Sequence, residues 1–179
     1  MKSLWANIFQ KKDEGDGNVI AVIKNIPVFK NLSRRELEAV ERILHRRMYK
    51  MDELIFKQGD AGVGMYIIEK GQVAIRLEPS QQVVAELSDG EFFGELSLLD
   101  DAPRSATAVA ITDCKMLGFF QSDLLGLIDR NPKMGVKIVL QLAKIIGERL
   151  RAANKENQEL QNQIKNLQKA EAPATETKE

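Results

Sequence analysis

The sequence has very little of two residue types on which many enzyme and metal sites depend. Its single cysteine, Cys114, excludes an intramolecular disulfide framework, and we therefore expect a reducing, cytoplasmic location. Its single histidine, His45, stands beside Arg46 and Arg47 on a predicted helix, where a solvated side chain is expected rather than a metal ligand. Zinc sites and the clustered histidines of barrel-type oxygenases are therefore excluded, and we expect no metal.

The sequence also lacks an excess of charge and any long apolar run. Its 26 basic residues balance its 26 acidic residues, and no local basic element indicates binding to nucleic acid. No segment approaches the roughly 20 apolar residues that cross a bilayer, and the first residues do not match a secretory leader. We expect a soluble protein that does not bind nucleic acid. Membrane binding is expected only if the first residues form an interfacial anchor.

Residues 1–25 are predicted to form a short helix followed by a linker. The apolar residues Leu4, Trp5, Ile8 and Phe9 have helical spacing, and a glycine-rich acidic segment follows them. We expect this helix to dock on its own domain or on a partner. An interfacial membrane anchor is the alternative.

Residues 26–132 are predicted to form one mainly β domain with flanking helices. Ser33 and Glu36 fit a capping box that begins a helix continuing through Leu44. Short alternating or apolar runs separated by glycine turns then predict a series of strands. These are Leu54–Lys57, Met65–Glu69, Val73–Leu77, Val83–Leu87, Ser105–Ile111 and Lys115–Phe120. The pattern is typical of a compact β-barrel or jelly roll.

A long helix is predicted over residues 133–170, and a disordered tail over 171–179. Apolar residues of this helix are spaced alternately three and four apart, as in the a/d seam of a coiled coil. The seam consists of Leu150, Ala153, Asn157, Leu160, Ile164 and Leu167. An asparagine at an a position favours two parallel strands in one register, so we expect a homodimer through this helix. A single polar helix that frays is the alternative.

The residues best suited to bind a ligand lie between Phe93 and Thr107. Gly94 allows close approach of the backbone to a ligand, and the short stretch after it can form a helical turn with amides free for an anion. Arg104, held by Pro103, offers a planar fork for two phosphate oxygens. Glu95 is an acceptor suited to a ribose hydroxyl, and we expect its charge and that of Arg104 to compensate one another.

This segment resembles the phosphate-binding cassette of the cyclic nucleotide-binding domains of catabolite activator proteins, cyclic-nucleotide-dependent kinases and gated channels. The likeness rests on Phe93–Leu99 and Pro103–Thr107, and the runs Gly59–Ile68 and Lys70–Ile75 are similar to that family's early strands. It covers about Pro27 to Ala153. The resemblance implies a β-jelly roll (a double-stranded β-helix) with N-terminal helices and a long C-terminal helix, and a ligand lying between barrel, cassette and long helix.

The resemblance also implies a role for each binding residue. Glu95 would accept from the ribose 2′-hydroxyl, Arg104 and the region after it would bind the cyclic phosphate, and apolar side chains would line the base. The predicted ligand-binding residues are Phe93, Gly94, Glu95, Leu96, Ser97, Pro103, Arg104, Ser105, Ala106, Ile75, Val84 and Asn154. Arg149 or Arg151 is an alternative contact to the base or the phosphate.

The resemblance favours cyclic AMP (cAMP) over cyclic GMP (cGMP) as the ligand, because Ser105 stands where a threonine accompanies cGMP preference in kinases. No helix-turn-helix pattern follows the long helix, so DNA binding is not implied. We predict a sensor or regulatory module, not an enzyme, in which the ligand shifts the arrangement of the C-terminal helix or of a partner surface. The alternative is a scaffold protein with a vestigial pocket that dimerises through the same helix.

Overall fold

The structure is a computed structural model that describes the backbone of residues 19–171 and the side chains of residues 19–168. The predicted helix containing Trp5 and almost all of the predicted tail lie outside these residues. The α-helices are α1 (Val19–Asn25), α2 (Arg34–Glu41), α3 (Gln121–Arg130) and α4 (Pro132–Glu171), with 3₁₀ helices at Pro27–Phe29 and Glu95–Leu98. The strands are β1 (His45–Tyr49), β2 (Leu54–Phe56), β3 (Gly64–Lys70), β4 (Val73–Leu77), β5 (Gln82–Leu87), β6 (Phe92–Phe93), β7 (Thr107–Ala110) and β8 (Cys114–Phe120).

The strands form two antiparallel sheets of four strands each, and this confirms the predicted jelly roll. The first sheet has the order β1-β8-β3-β6, and the second has the order β2-β7-β4-β5. Tyr66, Val73, Ala108 and Met116 belong to one buried cluster, so both sheets contribute to a common core. The cassette lies between β6 of the first sheet and β7 of the second, and the fold thereby holds it at both ends.

Short helices flank the first sheet. Ser33 caps α2 in the predicted capping box: its side chain accepts from the amide of Glu36, and the Glu36 carboxylate accepts from the amide of Ser33 at 2.7 Å. The same carboxylate accepts from the ammonium of Lys137 on α4 at 2.8 Å. Phe29 packs edge-on against Phe119 of β8, with ring centroids 5.7 Å apart. These contacts hold the helices against the strand side that faces away from the barrel core.

The predicted helix around His45 is wrong. Helix α2 ends at Glu41, and residues 45–49 form β1, which pairs with β8 from His45↔Gly118 to Tyr49↔Cys114. The strand alternates half-buried and exposed residues, but an arginine occupies each face, and this hides the period-two pattern. The His45 ring lies 4.9 Å from that of Phe120, and its Nε2 lies 3.1 Å from Asp123, while its side chain stays 42% exposed. Strand β6 was also missed, because two residues are too short to give a pattern.

The described chain divides into two compact units between Gln141 and Leu142, and α4 runs through the boundary. The first unit contains both sheets and the cassette. The second unit is helical and carries the predicted seam, whose leucine and isoleucine side chains are more than half exposed. Within residues 19–171, no helix has the length and apolar character needed to cross a membrane.

Candidate functional site

Arg104 is the centre of the cassette, and the fold holds its guanidinium firmly. The side chain is only 5% exposed. Its Nη1 donates to the carbonyl of Gly94 at 3.2 Å and to Ser97 Oγ at 3.0 Å, and its Nη2 donates to the carbonyl of Gly64 at 2.7 Å. Its Nε is also buried, and no atom among the described residues accepts a hydrogen bond from it. The cassette thus presents a fixed cation with one donor still available.

The surroundings of Arg104 act on its charge in two opposite ways. Burial lowers the pKa of Arg104 from its ordinary value, and the nearby Tyr66, Asp60 and Glu95 act in the opposite direction. The guanidinium carbon lies 4.0 Å from the centroid of the Phe56 ring, close enough for a cation–π contact. Burial of a charge is costly, so an anion that reaches this group would be a favourable partner.

The backbone of Arg104 is fixed as firmly as its side chain. Its amide donates to the carbonyl of Asp60 at 2.8 Å, and its carbonyl accepts from the amide of Gly59 at 2.9 Å. Three residues later, Thr107 Oγ1 accepts from the amide of Gln58 at 3.0 Å and donates to the Glu78 carboxylate at 3.2 Å. The loop after β2 therefore positions the cassette arginine before any ligand arrives.

Two glycines allow the cassette to pack this closely. Gly94 has φ +77, and a Cβ there would lie 2.6 Å from Nη1 of Arg104. Gly62 faces Ser97, and a Cβ on it would lie 2.0 Å from Ser97 Oγ. Larger residues at either position would displace Ser97 or Arg104, so these glycines are needed for the arginine site itself.

Glu95 begins the 3₁₀ helix of the cassette and is 5% exposed. Its effect on Arg104 acts through space, and it raises the pKa of that group. The expected mutual compensation of the two charges is therefore present as an electrostatic attraction.

The structure brings some of the predicted binding residues together and leaves others apart. Gly94, Ser97 and Arg104 are in direct contact. Phe93 is buried in the core cluster, where its ring stacks on Tyr66 at 5.7 Å, so its side chain serves the barrel. The remaining cassette residues lie at the surface or partly buried: Leu96, Pro103 and Ser105 are exposed, and Ala106 is half-buried.

The residues expected to line the base differ in their environments. Ile75 on β4 is half-buried and packs against the core cluster, whereas Val84 on β5 is 49% exposed. Asn154 lies on α4 in the second unit, and its side chain is exposed. Their roles toward a base stay predictions.

Sequence reasoning missed the contributions of Gly64 and Phe56 to the site. Gly64 accepts through a backbone carbonyl, which carries no signature of residue type. Phe56 belongs to a run predicted as a plain strand, and nothing in its spacing indicates that it lies against an arginine 48 positions later. Such partners become visible only when the sheets bring distant segments together.

Comparison with known proteins agrees with this geometry. Residues 46–131 match the family model of the cyclic nucleotide-binding domain. The cyclic AMP receptor protein of Thermus thermophilus is 37% identical over 137 residues, which are 75% of this chain and 62% of that protein. A cAMP-dependent protein kinase regulatory subunit of Colletotrichum orbiculare is 35% identical over 100 residues, which are 56% of this chain and 26% of that one.

A solved structure gives the same result. The crystal structure of the Thermus thermophilus catabolite activator protein has 38% sequence identity and a TM-score of 0.67, and the match covers 75% of this chain and 63% of that chain. This chain thus spans less than two thirds of each of these relatives. The buried arginine of the cassette, the two-sheet barrel and the family match lead to one conclusion: the chain carries a domain of the cyclic nucleotide-binding family.

Proposed function

We propose that this chain is a regulatory module that binds cAMP in preference to cGMP and has no catalytic activity of its own. The observation that carries the proposal is Arg104, a buried guanidinium whose Nε has no hydrogen-bond acceptor among the described residues. The cyclic phosphate of either nucleotide carries one negative charge, which would match this single cation. Glu95, buried one residue after Gly94, is an acceptor for the ribose hydroxyl.

The preference for cAMP rests on two supports. Ser105 follows the cassette arginine, and the two relatives most informative here are named as a cyclic AMP receptor protein and a cAMP-dependent kinase regulatory subunit. The lone Cys114 still favours a cytoplasmic location. Within the described chain, no group of three or more metal-binding side chains is assembled, and the proposal requires no metal.

Calorimetry with cAMP and cGMP tests the proposal on the wild type, Arg104→Ala and Arg104→Lys. We expect micromolar or tighter binding of cAMP to the wild type, weaker binding of cGMP, and loss of both in Arg104→Ala. Arg104→Lys keeps the charge but removes Nε and the planar fork, so we expect affinity to fall by at least tenfold, about 1.4 kcal/mol.

Arg35→Ala is the matched control, because it removes the same charge from an exposed position on α2. It should bind cAMP as the wild type does. Circular dichroism identifies any variant that fails to fold. Absence of binding of either nucleotide to the folded wild type would overturn the proposal and favour the scaffold function.

We further propose that the ligand acts by shifting the population of arrangements of α4 or of a partner surface. A ligand can do this only if it binds two arrangements with different affinity. Hydrogen exchange of the α4 amides with and without cAMP measures the shift directly. Equal exchange rates in both states would refute this mode of coupling.

The second part of the proposal is a parallel homodimer through α4. This helix is continuous to Glu171, and the seam residues Leu150, Leu160, Ile164 and Leu167 are between 52% and 65% exposed. Large apolar side chains repeating at heptad spacing on an exposed face are typical of a coiled-coil partner surface.

Sedimentation of the full chain with Ile164→Asp tests the dimer. A carboxylate at this a position would be buried beside its copy, so we expect dissociation to monomers. Asn162→Asp adds the same charge on the opposite face of the helix and should leave the dimer intact. If Ile164→Asp sediments as the wild type does, the seam is not the interface.

A further inference from the structure

A cavity lies at the end of the first sheet, where β1, β3 and β8 meet the loop after β7. Its volume is ≈ 500 Å³, within the range of roughly 300–1,000 Å³ that small-molecule sites occupy. None of the cassette residues lines it. Its wall includes the apolar side chains of Met48 and Tyr49 and three lysines, Lys50, Lys70 and Lys115.

Two of these lysines are paired between neighbouring strands. Lys70 of β3 is the Cα partner of Lys115 of β8, next to a register irregularity between Ile68 and Lys70, and Met48 of β1 is the partner of Lys115 on the other side. Like charges directly opposite each other destabilise a sheet. No carboxylate in the described part of the chain lies within 4.0 Å of either ammonium group.

The acidic groups of the cavity wall are engaged elsewhere. Asp113 accepts from the Lys50 ammonium at 3.0 Å and from the amide of Met51 at 3.0 Å, and both contacts lower the pKa of its carboxyl group. Glu53 accepts from the backbone amide of Lys50 at 2.8 Å. The wall therefore offers two lysines from paired strand positions whose charge its own carboxylates do not meet.

We propose that this cavity binds a small organic dianion, a phosphate monoester or a dicarboxylate, between Lys70 and Lys115. Both ammonium groups would donate charge-assisted hydrogen bonds to the anion, and this would relieve their mutual repulsion. Met48, which is 56% exposed, and Tyr49 supply an apolar surface for the carbon part of the ligand. The site is separate from the cassette and does not depend on nucleotide binding.

Calorimetric titration of the full chain with phenyl phosphate and with succinate tests this site. We expect binding of at least one probe at millimolar concentration, and we expect Lys70→Gln/Lys115→Gln to weaken it by roughly tenfold or more, which corresponds to about 1.4 kcal/mol. Which probe binds identifies the anion. Because the double substitution removes a repulsion, the variant should unfold no more readily than the wild type.

Two control variants locate the binding. Lys24→Gln/Lys30→Gln makes the same change of net charge at exposed positions outside the cavity and should keep the affinity. Arg104→Ala should also keep it, since a loss there would place the anion at the cassette. The proposal is overturned if neither probe binds, if Lys70→Gln/Lys115→Gln binds as the wild type does, or if either control loses binding to the same extent.

Discussion

Replacing Gly94 with alanine adds one methyl group at the point where the cassette backbone lies closest to Arg104. The residue has φ +77, and the new Cβ would lie 2.6 Å from Nη1 of Arg104 and 3.2 Å from the carbonyl oxygen of Gly64. Left-handed backbone costs a residue with a Cβ about 1–2 kcal/mol. At 2.6 Å the guanidinium must also move away from the new Cβ. The Gly64 carbonyl belongs to the backbone and cannot move as easily.

The movement of Arg104 adds a second cost. Its Nη1 would lose the hydrogen bonds to the Gly94 carbonyl at 3.2 Å and to Ser97 Oγ at 3.0 Å. A hydrogen bond to a charged group contributes about 1.5–3 kcal/mol, and partial replacement by water reduces that. We expect Gly94→Ala to lower the free energy of unfolding by about 3 kcal/mol in total and to weaken cAMP binding by at least tenfold.

Gly90→Ala is a matched control for the backbone term. Gly90 has φ +81, nearly the same as Gly94, but a Cβ on it meets no heavy atom within 4 Å. Urea denaturation should show a loss of about 1–2 kcal/mol for Gly90→Ala, and calorimetry should show unchanged cAMP affinity. The reasoning is refuted if Gly94→Ala and Gly90→Ala lose equal stability and both bind cAMP normally, because the contact with Arg104 would then be of no consequence.

Two further variants test single contacts. Ser97→Ala removes the acceptor 3.0 Å from Arg104 Nη1, and we expect a loss of about 1–2 kcal/mol in urea denaturation and several-fold weaker cAMP binding by calorimetry; unchanged affinity would show that Gly64 and Gly94 suffice. For Glu36, burial opposes ionisation, but hydrogen bonds from Lys137 and Ser33 outweigh it and lower its pKa below 4.5. Its contribution to stability is therefore full above pH 4.5 and is lost as pH falls through the lowered pKa, so the stability difference between wild type and Glu36→Gln, about 1 kcal/mol at neutral pH, should vanish in acid. A difference that stays constant with pH would contradict this assignment.

Much of the barrel could be predicted from the sequence because its strands carry a strong local pattern. The strand Val73–Leu77 has the predicted bounds, and the strand predicted at Met65–Glu69 gains only one residue at each end. The exceptions are segments whose partners, rather than their own residues, define them. The segment His45–Tyr49 is a strand because it pairs with β8. Its first three residues are polar, so the segment lacks the alternating pattern that predicts a strand.

The same division applies to the site. Gly94 and Arg104 could be identified because few residue types meet the requirements of these positions. Glycine tolerates a positive φ, and arginine provides a planar cationic fork. Their three-dimensional relation could not, because Arg104 contacts the backbone carbonyl of Gly94, and a carbonyl carries no signature of residue type. A charge pair is the obvious expectation for two ionised groups nine residues apart, yet the carbonyls of Gly94 and Gly64 accept from the terminal nitrogens of Arg104.

The way in which Arg104 is held has a consequence for affinity. The loop residues Gly59 and Asp60 bond its backbone, while Gly64, Gly94 and Ser97 accept from its terminal nitrogens. The long side chain of Arg104 is therefore already ordered before a ligand binds. Binding does not include the entropic cost of immobilising that side chain, roughly 0.5–1.5 kcal/mol in other interfaces. The cost of burying the cation is instead part of the free energy of folding. An anion at Nε would offset that cost, so a ligand that binds here should raise the stability of the whole domain in proportion to the logarithm of its concentration.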